Sequence, residues 1–248
     1  MTLSKDYSDY DPFAWFYNEY WGQMYSEWDL PFFEKLLLQH LAQGAHILDL
    51  CCGTGHLAQQ MLRKGYQVTG VDSSKAMLEY ANQNAPSGKF ILGDVRCLEL
   101  SPKFSGVAST GGFNHIMSIE ELTGVFCSVY AALQENGLFV FNLLSEERFK
   151  LAWNGSLDGG DVKDDYAWAS RSSYNPEEKT GCNQITIFQL SEGKWHRSDI
   201  NLLVRDYSKI EIQSALENAG FTAVRVYDSE RDFGVSGSLG ILWYVCRK

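Results

Sequence analysis

Between residues 45 and 144, short apolar runs alternate with stretches whose apolar residues recur at helical spacing. His46-Ile47-Leu48-Asp49-Leu50 reads as a strand, and Leu57, Ala58, Met61 and Leu62 then share one helix face before Gly65 stops it. Residues 67–71 form the next strand. Ser73 or Ser74 caps a helix carrying Ala76, Met77, Tyr80 and Ala81, after which residues 89–92 return as a third strand and residues 107–109 as a short fourth. Ser118-Ile119-Glu120-Glu121 has the pattern of a capping box, opening a helix through Val125, Val129 and Leu133 that Gly137 ends ahead of a strand over residues 138–143. Such alternation predicts an α/β fold with a doubly wound, mostly parallel sheet and helices on both faces.

The period then changes to two. Residues 183–190 and 195–204, joined by Ser191-Glu192-Gly193-Lys194, read as an antiparallel hairpin within an insert over residues 145–205. A second capping box, Ser208-Lys209-Ile210-Glu211, restarts the α/β pattern; its helix ends at Gly220 and residues 222–226 form a strand. The last run, residues 239–246, follows with no crossover helix, so it should lie antiparallel as the final strand of a seven-stranded sheet. At the other end, 11 of the 24 residues from Tyr10 to Phe33 are aromatic, which suits a helix packed on the core or a lid over a cleft. The expected organisation is a helical lid over 1–35, a cofactor-binding core over 36–144, an antiparallel β insert capping substrate over 145–205, and completion of the core over 206–248.

Charge and composition narrow the partners. The formal net charge is −10, from 21 Lys plus Arg against 31 Asp plus Glu, with no basic cluster, so a nucleic-acid partner is not expected. No run of 18 apolar residues occurs and the first residues carry no apolar signal segment, so the expected location is cytoplasmic and no membrane partner is expected. The six cysteines include no C-x-x-C pair and read as reduced thiols, with no metal expected.

The chemistry gathers at Asp49-Leu50-Cys51-Cys52-Gly53-Thr54-Gly55-His56-Leu57-Ala58, where the first strand turns into the first helix and glycines let a ligand approach the backbone. Gly53 to Ala58 can be read as the dinucleotide pattern G-x-G-x-x-A, with Asp72 about 20 residues on to hold a ribose. Asp49 argues for a different cofactor. A carboxylate ahead of a pyrophosphate loop repels phosphate, whereas the zwitterionic amino-acid tail of S-adenosylmethionine offers an ammonium to pair with it.

Four ordered pieces resemble the class I S-adenosylmethionine-dependent methyltransferases. Asp49-x-Cys51-x-Gly53-x-Gly55 is similar to the family's first motif, Val71-Asp72 to its ribose-binding acid, Gly93-Asp94-Val95 to its adenine-binding motif, and Leu133-Gln134-Glu135-Asn136-Gly137-Leu138 to its helix-to-fifth-strand signature. Two departures stand out: Cys51 occupies a usual glycine, and Phe104-Ser105-Gly106-Val107 lacks the acid of the common Phe-Asp-x-Val. The resemblance implies S-adenosylmethionine as cofactor, S-adenosylhomocysteine as product, and a binding set of Asp49, Cys51, Gly53, Gly55, Asp72, Ser73, Met77, Asp94, Val95 and Ser109. Met77 also fits a core position, and Asp49, Asp72 and Asp94 also fit caps or turns.

Methyl transfer to N or O is an in-line displacement that needs a desolvated cleft and a nucleophile with a free lone pair. Asn114 and His115 follow the fourth strand, at the edge where doubly wound sheets bind ligands, so His115 is the candidate catalytic base. Tyr17, Trp21, Asn114, His115 and Arg171 are the candidate acceptor contacts. The arrangement resembles small-molecule methyltransferases, including sugar-amine and glycine-type N-methyltransferases. One strand face of the insert must pack on the core or on a second subunit, which leaves a homodimer open. A NAD-dependent oxidoreductase and a non-catalytic S-adenosylmethionine-binding protein are the alternatives.

Overall fold

The computed structural model describes residues 10–101 and 103–248; the start of the expected lid, residues 1–9, lies outside the described residues. One sheet holds β1 (His46–Leu50), β2 (Gln67–Asp72), β3 (Lys89–Leu92), β4 (Phe104–Ser109), β5 (Leu133–Leu144), β10 (Ala223–Asp228) and β11 (Ile241–Arg247). Their order across the sheet is β10-β11-β5-β4-β1-β2-β3. The five strands β1 to β5 are parallel, and β11 runs antiparallel to both β5 and β10. This is the seven-stranded, mostly parallel α/β sheet with antiparallel last strand that the pattern predicts.

Successive residues of the central strands point to opposite faces, and each face has its own core. Leu48, Val107, Phe139, Phe141 and Tyr244 pack beneath α5 (Ile119–Ala132) and α7 (Lys209–Ala219). Their neighbours Ile47, Ala108, Val140 and Trp243 pack beneath α3 (His56–Arg63) and the second half of α2 (Gln23–Leu36). Trp243 is fully buried, stacked on Phe32 at 4.8 Å and edge-on to Phe33 at 5.1 Å. Burying one such ring contributes roughly 1.5–3 kcal/mol, so the C-terminal half of α2 belongs to the core and only the part before it can act as a lid.

Two local expectations change. The helix opened by Ser118 ends at Ala132, not near Gly137, because Leu133 pairs with Phe104 as the first residue of β5. The extra residues before Leu138 form a bulge, with Asn136 turning the chain at φ 64°. The capping box at Ser118 is half formed: Ser118 Oγ accepts from the Glu120 and Glu121 amides, but the Glu121 carboxylate faces Arg96 instead of returning to the cap. At Ser208 the reciprocal box is complete, and Gly220 ends α7 in the left-handed region.

The insert is larger than a hairpin. After α6 (Glu146–Ala152), β6 (Asn154–Val162), β7 (Tyr166–Asn175), β8 (Thr180–Ser191) and β9 (Lys194–Arg205) form a four-stranded antiparallel sheet in chain order. Its inner face places Ile185, Ile187, Ile200, Leu202 and Trp168 against Phe13 and Phe16 of the N-terminal segment. That segment enters through α1 (Ala14–Phe16) and a π-helical stretch, Tyr17–Gly22, before α2. The N-terminal segment and the insert thus share one aromatic core over the carboxyl edge of the large sheet.

Candidate active site

The loop after β1 alternates residues in the left-handed region: Cys51 at φ 57°, Gly53 at 51° and Gly55 at 76°. The value at Cys51 explains why a glycine suits that position, since a side chain there costs roughly 1–2 kcal/mol. At Gly55 a Cβ would stand 2.9 Å from Ala81 Cα, so glycine there lets α3 start against α4 (Lys75–Asn84). A Cβ on Gly53 would lie 3.5 Å from the Tyr17 ring, which places the π-helical stretch directly over the loop.

Three carboxylates ring this loop. Asp72, at the end of β2, accepts hydrogen bonds from Gly53 N and Ser74 N, each 2.9 Å, and so ties the glycine loop to the start of α4. Each oxygen keeps a second lone pair for a ligand hydroxyl. Asp49 is 2% exposed, and its Oδ2 has no hydrogen-bond partner. Burial pushes its pKa up to about 8, with a smaller push from Asp72. An orphaned buried acceptor beside a glycine loop fits the ammonium of an amino-acid tail. Asp94 is half-buried and grips the Arg96 guanidinium through both oxygens, at 2.6 to 3.0 Å. That partner holds its pKa below the usual carboxylate range. An adenine amine there would share the carboxylate with Arg96.

Of the remaining residues expected at the cofactor, Val95 is buried at the core edge and Ser73 is exposed beside Asp72. Met77 is 4% exposed and packs among Phe13 and Phe16, the core position open to it from its spacing. The Ser109 hydroxyl donates to Leu50 O at 2.9 Å, joining β4 to β1 beneath the loop. Cys51 leans on the same place. Burial raises its thiol pKa, and a Cβ on Gly112 would stand 2.5 Å from its own Cβ.

On the acceptor side the structure sorts the candidates. His115 Nδ1 lies 2.8 Å from the Leu203 carbonyl of β9 and its ring is edge-on to Tyr10. A carbonyl only accepts, so Nδ1 carries the hydrogen and Nε2 keeps a lone pair. Burial holds the imidazole pKa below its usual value, with the Leu203 bond opposing. Asn114 does not offer its amide to a ligand. Its Nδ2 donates to Leu144 O and Arg205 O while Oδ1 accepts from Leu144 N, so it clamps β5 to the insert. Arg171 sits exposed on the outer face of β7, because Trp168, Ser170 and Ser172 take the inward positions of that strand. Tyr17 covers the glycine loop; Trp21 packs on Phe13, Phe16 and Trp168 in the lid–insert core.

The N-terminal segment is fastened at three points that no motif singles out. Asp11 Oδ1 accepts from Ser74 Oγ at 2.5 Å and Ala76 N at 3.2 Å. Asn18 Oδ1 accepts from Asn84 Nδ2 at 2.7 Å. Asp29 accepts from Thr110 Oγ1 at 2.7 Å. Lone polar residues in an aromatic segment carry no periodic signal, so only the fold reveals their partners. A groove of about 810 Å³ lies elsewhere, along the amino ends of β1, β2 and β3, away from this chemistry.

Comparison with known proteins agrees with this cleft. A family model described as a methyltransferase domain matches residues 47–137. A protein of Geobacillus sp. (strain WCH70), provisionally named as a methyltransferase, is 27% identical over 248 residues, covering 96% of this chain and 99% of the relative. The dTDP-3-amino-3,4,6-trideoxy-alpha-D-glucopyranose N,N-dimethyltransferase of Streptomyces venezuelae is 25% identical over 190 residues, 75% of this chain and 78% of that one. In fold, an S-adenosylmethionine-dependent methyltransferase from Clostridium acetobutylicum ATCC 824 superposes with TM-score 0.75 at 20% identity, over 97% of this chain and 99% of that chain. The sugar N-methyltransferase KedS8 from Streptoalloteichus sp. ATCC 53650 does so with TM-score 0.74 at 16% identity, over 96% and 92%. With the glycine loop, the acid at the end of β2 and the strand order all in place, the chain carries a methyltransferase domain over residues 47–137 and has the fold of solved S-adenosylmethionine-dependent methyltransferases.

Proposed function

We propose that the chain methylates a nitrogen or oxygen atom of a small molecule. The observation that carries this reading is the covered carboxyl edge of the sheet, where lid and insert share an aromatic core and leave His115, with a lone pair on Nε2, beside the end of β4. A cleft closed in this way excludes a bulky polymer and suits a compact acceptor. The amino-sugar relatives support the same class of acceptor.

S-adenosylmethionine supplies, when bound, a methyl group activated by its sulfonium. In this reading Asp72 holds the ribose hydroxyls with an orientation set by Gly53 N and Ser74 N. Asp49 faces the ammonium of the amino-acid tail, and Asp94 with Val95 holds the adenine. Tyr17 closes over Gly53 and excludes water, and its ring face suits a sulfonium. His115 accepts the proton of a hydroxyl acceptor through Nε2; burial keeps it unprotonated at neutral pH, ready to do so.

The test is turnover of S-adenosylmethionine against paired acceptors, an amino sugar nucleotide and its hydroxyl counterpart, read by mass spectrometry. His115→Gln should slow methylation of the hydroxyl partner by about 10²–10⁴-fold, the worth of a general base. Methylation of a peptide or RNA in preference to both small molecules would defeat the proposal.

A further inference from the structure

Asp29 lies on the cleft side of α2 with 3% of its surface exposed. Its Oδ2 accepts from Thr110, the residue after β4, and Thr110 is held in turn by Asn142 of β5: Asn142 Nδ2 donates to Thr110 Oγ1 at 2.9 Å, and Asn142 Oδ1 accepts from Gly111 N at 3.0 Å. The lid carboxylate is therefore fixed over the carboxyl ends of β4 and β5, beside the cofactor loop. Burial first, and then the charges of Tyr25, Asp29, Asp72 and Asp49, hold the Tyr17 hydroxyl above its usual range, so Asp29, Asp49 and Asp72 all lie within electrostatic reach of Tyr17. Among the described residues neither Asp29 nor Asp49 has an ion-pair partner. The second acid repeats the theme independently, through its orphaned Oδ2.

Buried carboxylates without a counter-ion are costly when ionised and are relieved by a cation. The ammonium of the cofactor's tail accounts for Asp49. Asp29, held by Thr110 just past the carboxyl end of β4, has no such partner and calls for a second cation. Resting on the methyltransferase reading above, we propose that Asp29 anchors the acceptor nitrogen and selects an amine that enters as an ammonium ion.

In the corresponding step the ammonium N–H proton passes to the Asp29 carboxylate, which frees the nitrogen lone pair. That pair forms the N–C bond to the methyl carbon while the C–S bonding pair returns to sulfur. The product leaves as a methylated ammonium ion, and the proton on Asp29 passes to water. Burial holds the Asp29 pKa up to about 7, with the Thr110 bond opposing, which matches a group that gains and loses a proton near neutrality.

Sinefungin tests this without knowledge of the acceptor, because it carries an amine where S-adenosylmethionine carries the transferable methyl, whereas S-adenosylhomocysteine carries nothing there. Wild-type protein should bind sinefungin more tightly than S-adenosylhomocysteine by calorimetry. Asp29→Asn, which keeps an oxygen for Thr110, should shrink that ratio by about tenfold, the loss of one charge-assisted contact, with S-adenosylhomocysteine affinity within about twofold. Thr110→Val, which frees the carboxylate from its holder, should lower the same ratio and serves if the first variant does not fold. An unchanged ratio in the folded variants, or a parallel fall for both ligands, overturns the role of Asp29. Failure of the wild type to bind either ligand overturns the cofactor reading itself, and the inference with it.

Discussion

Gly112→Ala is the sharpest perturbation of the cofactor loop. Gly112 has φ −90° and ψ −40°, a conformation open to any residue, so glycine is needed there only for space. An added Cβ would stand 2.5 Å from Cys51 Cβ and 2.7 Å from its Sγ, more than 1 Å inside normal contact at roughly 3.5–4.0 Å. Cys51 has little room to yield, since it already sits at φ 57° between β1 and the glycine loop. Overpacking of this kind costs about 1–3 kcal/mol, and the displaced loop should also lose affinity for S-adenosylhomocysteine. Cys51→Gly removes both clashing atoms and relaxes the left-handed residue, so the double variant should recover most of the loss. Urea denaturation of the four proteins, with calorimetric titration of each, measures the coupling. A single variant within about 0.5 kcal/mol of wild type, or a double variant whose loss equals the sum of the singles, would refute the packing argument.

Three other outcomes follow from the same cleft. Asp49 and Asp29, with pKa values raised to about 8 and about 7, bind protons more tightly folded than unfolded. Their contribution is complete below the ordinary carboxylate range near 3.8 and is lost as pH rises through 7 and 8, so the cofactor-free protein should melt lower at pH 8 than at pH 6, and Asp49→Asn should flatten that fall; an equal slope in the variant would count against it. Asp11→Ala removes the fastening at Ser74 and Ala76, worth about 1 kcal/mol, and should speed amide exchange over residues 11–30 several-fold while exchange in β1 is unaffected. Asp94→Asn should narrow the affinity gap between S-adenosylhomocysteine and its inosine analogue, and an unchanged gap would leave Asp94 as the partner of Arg96 alone.

Much of the large sheet was legible because its strands end in signals that act locally. Residues 46–50 and 89–92 coincide with β1 and β3, and the Ser208 box and Gly220 bracket α7. The insert was half legible. Strands β8 and β9 alternate apolar and polar residues, but β6 contains Gly155, Gly159 and Gly160 with acidic neighbours, and β7 turns Ser170 and Ser172 inward, so neither shows a hydrophobic period. Helix and strand at Leu133 compete on a single buried leucine, and the pairing with Phe104 decides it. At the site, the backbone-dictated residues stood out, since Gly53 and Gly55 have chemistry tied to position. Asp29 and the clamp role of Asn114 did not, because their partners Thr110, Leu144 and Arg205 are remote in sequence and meet them only in the folded chain.

In the proposed reading Asp72 and the glycine loop hold the cofactor, and calorimetric titration of S-adenosylhomocysteine measures that binding. The Asp72 carboxylate should accept from the ribose hydroxyls while braced by Gly53 N and Ser74 N. Wild-type protein should bind one ligand per chain, and Asp72→Ala, losing about 1.5–3 kcal/mol of charge-assisted hydrogen bonding, should bind at least about tenfold more weakly with its fold intact. Equal affinity in a folded Asp72→Ala protein, or no binding to the wild type, would rule out this cofactor site.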